Sequence, residues 1–73
     1  MTQNEAIAIA RQVATAEDWP WREPIIATKS RRFVIAGAAY WHVMSNAGHR
    51  GANVYVCIED RTRSVVSKVF APE

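Results

Sequence analysis

One amphipathic stripe, then a proline-flanked connector, then nothing but strand-like runs: this order is what most limits the fold of the chain. Ala6, Ile9, Ala10, Val13 and Ala14 recur at the i, i+3, i+4, i+7 spacing of a single helix face. Gln3, Glu5, Arg11, Gln12 and Thr15 fill much of the remaining surface. Thr2 and Glu5 stand in the spacing of a capping box, where each side chain satisfies an orphan backbone N–H at the helix start. The pattern predicts a helix over residues 3–17, stopped ahead of Trp19-Pro20 because a residue before proline is biased away from helical backbone. Many of its core-facing positions are alanine, so this helix can lie close to whatever it covers.

Past the connector (residues 18–24, containing Trp19-Pro20-Trp21-Arg22-Glu23-Pro24) the periodicity changes to that of strands. Residues 25–28 are a candidate first strand. Residues 29–32 then form a turn and 33–36 a returning strand, or 25–36 is one long bent strand; Gly37 marks a turn or bulge. Residues 40–44, 53–59 and 64–70 are further strands, with a two-glycine loop over 46–52 and a short turn over 60–63 between them. Such short connections imply an antiparallel meander. The expected fold is a single α+β domain over the 73 residues, with one N-terminal amphipathic helix packed on a three- or four-stranded antiparallel β-meander.

A chain this short buries only about 60% of the surface its unfolded form exposes, and small domains often gain stability by oligomerising. A homodimer is therefore one expectation. The 49% hydrophobic content, with three Trp, two Tyr and two Phe, excludes a disordered chain. Cys57 is the only cysteine, so no intramolecular disulfide forms. The first residues lack the basic-then-apolar order of a signal peptide, and no apolar run reaches the roughly 18 residues of a membrane span. The expected location is cytoplasmic, with no membrane partner. The net charge of +2 permits an acidic partner without requiring one.

Side chains alternate between the faces of a strand. Trp41, Val43, Val54, Val56, Ile58, Val65 and Val69 are expected to face the helix. The opposite face then carries Tyr40, His42, Met44, Tyr55, Cys57, Val66 and Phe70, far more apolar than a solvated sheet face. One helix cannot cover both sides. That second face is covered by the Trp19–Trp21 connector, by another copy, by a different protein, or by an N-terminal strand curling over it. A contiguous exposed apolar patch marks an interaction site, and Tyr40, His42, Met44, Tyr55 and Phe70 are the candidate partner-binding residues.

Catalytic chemistry is not visible. His42, His49 and Cys57 have no metal-ligand spacing, and no cofactor motif is present. A Cys57–His42 pair forms only if their strands are neighbours, and no third, orienting residue is evident. Glu59 and Asp60 are adjacent and point to opposite faces; the expected role of Asp60 is to accept backbone hydrogen bonds in a tight turn. Gly48-His49-Arg50-Gly51 has the look of a phosphate loop, yet it joins two strands rather than leading into a helix. If residues 29–32 are a turn, alternating hairpins place it at the same end of the sheet as loop 46–52. Lys29, Arg31, Arg32, His49 and Arg50 would then converge as a site for nucleic acid or another anionic ligand.

Two family resemblances rest on short motifs. An Ala-rich helix, Tyr40-Trp41-His42-Val43 and Asp60-Arg61-Thr62-Arg63-Ser64-Val65 fall in the order that resembles PepSY domains. Trp41-His42-Val43, the loop from Gly48 to Gly51 and the stretch from Ile58 to Val65 are also similar to bacterial immunity proteins with a nuclear-transport-factor-two-like fold. In both, Arg63 stands where those families carry a turn glycine. The resemblances imply a non-enzymatic binder that inhibits or regulates a protein partner, a peptidase in the first case and a toxin in the second.

Overall fold

The computed structural model describes residues 1–30 and 39–72. A helix α1 (Gln3–Ala16) is followed by strands β1 (Ile26–Ser30), β2 (Tyr40–Met44), β3 (Asn53–Glu59) and β4 (Val65–Ala71). The strands form one antiparallel sheet in the order β1-β2-β3-β4, an α+β meander as the sequence predicts.

The helix begins with the capping box: the Glu5 N–H donates to Thr2 Oγ1 at 3.2 Å, and the Thr2 N–H donates to Glu5 Oε1 at 2.7 Å. It ends one residue earlier than the proline rule suggests, through a Schellman motif. Asp18 takes a left-handed φ of 59°, so that its N–H reaches Thr15 O and the Trp19 N–H reaches Ala14 O. The turn directs Trp19 back across the sheet, where its ring stacks on Phe70 with centroids 5.8 Å apart.

Ala6, Ala10 and Ala14 are completely buried and meet Val43, Val54, Val56 and Ile58 on the inner face of the sheet. Three small side chains in successive turns let the helix backbone approach the strands, and larger residues (Ile7, Ile9, Val13, Trp21 and Trp41) seal the margins. The helix lies over β1, β2 and β3. Towards β4 it reaches through Glu17, whose carboxylate lies 3.4 Å from Lys68 Nζ, and through the Trp19–Phe70 stack.

Two parts of the sheet differ from expectation. First, β1 continues through Lys29 and Ser30 and pairs directly with β2, Ser30 opposite Tyr40, so no turn begins at Lys29. The proposed returning strand at 33–36, with Gly37, lies outside the described residues. Second, a β-bulge shifts the β3–β4 register between Cys57 and Ile58. Val65 lies opposite Ile58 as alternation requires, but the extra residue then reverses the parity of everything after it. Val69 falls opposite Tyr55 on the outer face, and Phe70 opposite Val54 on the inner face. Phe70 is therefore not an outer-face residue, and Val69 is not a core one.

The β3–β4 turn places Arg63 at φ 63°, a conformation that costs a side-chain-bearing residue more than glycine. Its guanidinium reaches the helix start, with Nη2 2.9 Å from Glu5 Oε2. The arginine at this left-handed position thus ties the turn to the helix cap.

Because Ala10 is completely buried against the sheet, Ala10→Leu should overpack the helix–sheet contact and destabilise the fold by about 1–3 kcal/mol. Urea denaturation followed by far-UV circular dichroism checks this, with the exposed Ala8→Leu as the control that changes little.

Candidate functional site

The outer face of the sheet is ordered in rows, because the pairing registers carry through every strand. Ile26, Met44, Tyr55 and Val69 stand side by side across β1, β2, β3 and β4. Ile26 is 48% exposed, Tyr55 41% and Val69 53%, so the row is apolar and open. The next row is Thr28, His42, Cys57 and Ser67. Beyond it, Tyr40 lies between Ser30 and Glu59. Trp19 and Trp21 pack on the inner, helix side, so the connector does not cover this face.

The two rows enclose a shallow concavity of about 350 Å³, lined by Ile26, Thr28, His42, Met44, Tyr55 and Cys57 among others. His42 Nε2, from this lining, lies 2.9 Å from Ser30 Oγ. Cys57 sits directly opposite His42. The Ser45 N–H bonds to Val54 O, which makes 45 and 54 a hydrogen-bonded pair. By alternation His42 and Cys57 form a non-hydrogen-bonded pair, the kind in which facing side chains come closest. The neighbouring strands that a Cys57–His42 pair requires are therefore present, and Ser30 supplies an orienting group the sequence did not reveal. No carboxylate shares the row among the described residues; Glu59 stands one row away and accepts from the Thr62 hydroxyl at 2.8 Å. A strip of hydroxyl, imidazole and thiol beside an apolar strip is suited to receive a partner's polar atoms next to its apolar ones.

Of the residues expected on this face, Tyr40, His42, Met44, Tyr55 and Cys57 are there, Val66 is the extra residue of the bulge, and Phe70 is not there. Ile26, Thr28, Ser30, Ser67 and Val69 are there without having been anticipated. The alternation Ile26, Thr28, Ser30 was available in the sequence, but only with a strand that runs on through Ser30. Val69 was hidden by the bulge.

Lys29 does not come together with His49 and Arg50. The β1–β2 connection leaves from the end of the sheet that also carries turn 60–64, whereas loop 45–52 lies at the opposite end. Lys29 is thereby separated from His49 and Arg50, and Arg31 and Arg32 lie outside the described residues. The convergence depended on a turn at 29–32, and β1 runs through that point. Loop 45–52 is a closed structural loop. Asn53 Nδ2 donates to the carbonyls of Ser45 and Asn46, the Asn46 N–H donates to Arg22 O at 2.6 Å, and the Ala47 N–H donates to Pro24 O at 2.9 Å. Gly48 and Gly51 take φ of 84° and 79°, which explains the glycines without a ligand.

Lys29 instead belongs to a cluster around Asp60. The Trp41 indole N–H donates to Asp60 Oδ1 at 2.8 Å, the Met1 amino group lies 3.3 Å from the same oxygen, and Lys29 Nζ lies 3.6 Å from Oδ2. Lys29 also sits over the Trp41 ring, 5.9 Å from its centroid. The backbone of turn 60–64 is served by Thr62, whose hydroxyl accepts from the Ser64 N–H, rather than by Asp60. The Trp41 hydrogen bond, aided by the amino group and Lys29, holds the Asp60 carboxyl below its ordinary range. The Thr2 backbone N–H and hydroxyl, then Arg63, do the same for Glu5.

No protein-family model matches the chain, and no curated protein or solved structure matches it either.

Both carboxyls titrate lower in the folded than in the unfolded chain. Their contribution to stability is complete above the unfolded values and is lost as pH falls through the folded ones. Urea midpoints should therefore hold from neutral pH down to the ordinary carboxylate range and drop below it. Asp60→Asn, which keeps an acceptor for Trp41 but removes the charge, should be less stable than the parent at neutral pH and show a shallower acid loss.

Proposed function

We propose that this protein is a non-enzymatic, cytoplasmic binding module that inhibits or regulates a protein partner through the outer face of its sheet. The observation that carries the proposal is the open row Ile26, Met44, Tyr55 and Val69, side by side across all the strands with no element of the described fold above it. A small fold ordinarily buries its aromatic and branched residues, and contiguous apolar surface left in water marks a place where another surface docks. Tyr55 sits centrally in the row, between Met44 and Val69, with the polar row of Thr28, His42, Cys57 and Ser67 beside it; an apolar centre with a hydrogen-bonding margin is the usual anatomy of a protein interface. The resemblance to PepSY domains and to immunity proteins points the same way. Among the described residues no helix is long and apolar enough to cross a membrane.

Tyr55→Glu tests this directly. The side chain is exposed, so the variant should keep its urea midpoint to within about 0.5 kcal/mol. Affinity-purified wild-type protein should retain a partner from native extract that survives added salt, and Tyr55→Glu should lose it. A partner held equally by both proteins, or released by salt, places the binding surface elsewhere.

A further inference from the structure

The two edges of the sheet are finished differently. Asp60 donates its N–H to Ala39 O and Ser45 donates to Val54 O, so even-numbered residues of β3 turn their backbone groups towards β2. Glu59 donates to Ser64 O, so the odd-numbered residues face β4. Tyr55 thus exchanges its hydrogen bonds with Val69, which leaves the N–H and C=O of Lys68 and Phe70 directed away from the sheet. On the β1 edge the outward carbonyl of Ala27 is capped by Gln3 Nε2 at 3.2 Å. On the β4 edge no described residue caps Lys68 or Phe70. Open edges of this kind are templates for another strand.

We infer that the β4 edge pairs with the β4 edge of a second copy, antiparallel, about a two-fold axis at Val69. Symmetry and charge select both the occupant and the register. An isologous contact needs a self-complementary strand, and two registers let the outward groups of Lys68 and Phe70 meet outward groups of a second copy symmetrically. Centring on Lys68 sets two ammonium groups directly opposite each other, which is destabilising. Centring on Val69 sets Lys68 opposite Phe70 of the second copy, each exchanging both backbone hydrogen bonds, and leaves the Lys68–Glu17 ion pair of each copy undisturbed. It also sets Val69, 53% exposed in the isolated chain, against Val69 of the second copy. The apolar row then runs unbroken from Ile26 through Tyr55 and Val69 into Val69, Tyr55 and Ile26 of the other molecule. The inference goes beyond partner binding and stands without it, since pairing at the edge leaves the outer face open.

Cysteine cross-linking in the full chain reads the register. At the axis Val69 is a non-hydrogen-bonded pair with itself, with Cα atoms about 4.5 Å apart, within the span of a disulfide. In a Cys57→Ser background, Val69→Cys should oxidise to a species of twice the 8.2 kDa chain mass on a non-reducing gel. Ser67→Cys, equally on the outer face of β4, should remain a monomer because its symmetry mate lies several residues along the strand. Wild-type protein should gain mass with concentration by light scattering, and Val69→Lys should abolish that gain while keeping the far-UV spectrum. Monomeric mass at every concentration, or equal cross-linking of the two cysteine variants, overturns the inference.

Discussion

The contact of Ala6, Ala10 and Ala14 with Val43, Val54, Val56 and Ile58 is the constraint on which the rest of this structure depends. It is a close, dry packing of small side chains on branched ones, and it uses one face of the sheet only. The described residues contain no second helix to lay on the other face. The remaining apolar side chains of the described residues are therefore divided between the margins of the core, sealed by Trp19, Trp21 and Phe70, and an outer surface facing water. The functional proposal is a consequence of that division rather than of any motif.

The polar features serve the same architecture. Glu5 closes the capping box and receives Arg63 from the far turn, joining the first helical turn to the β3–β4 connection. Asp60 gathers the Trp41 indole, the amino group and Lys29 at the same end of the sheet. At the opposite end, Asn53 and Ser45 close the long loop, and its N–H groups at Asn46 and Ala47 fasten it to the connector. Exposed ion pairs such as Arg63–Glu5 and Lys68–Glu17 contribute little each; their value lies in fixing which elements meet. Among the described residues Lys29, Arg63 and Lys68 serve as struts in this way.

Much of this was legible in the sequence because helix and strand periodicities are local signals. The stripe from Ala6 to Ala14, the capping box and the alternation in β2 and β3 each identify an element and its buried side without knowledge of the rest. What was not legible depends on pairing. Phe70 and Val69 exchanged faces because a bulge opposite Cys57 and Ile58 adds a residue to β4, and strict alternation carried from Val65 cannot register it. Lys29 was misplaced for a similar reason: bringing it to His49 and Arg50 required a hairpin turn at 29–32, whereas β1 runs through Lys29 and Ser30 to pair with β2. The Ser30–His42 contact and the row containing Cys57 likewise exist only once strands separated in sequence are placed in register.

The inner face of the sheet is core, and on the proposed function the outer face is covered by another protein. Hydroxyl-radical footprinting read by mass spectrometry tests it most directly. In the isolated protein Met44 and Tyr55 should be oxidised readily while Val54, Val56 and Ile58 are spared, and addition of the captured partner should protect Met44 and Tyr55. Slow oxidation of Met44 and Tyr55 in the isolated protein, or no change on adding the partner, would contradict the account.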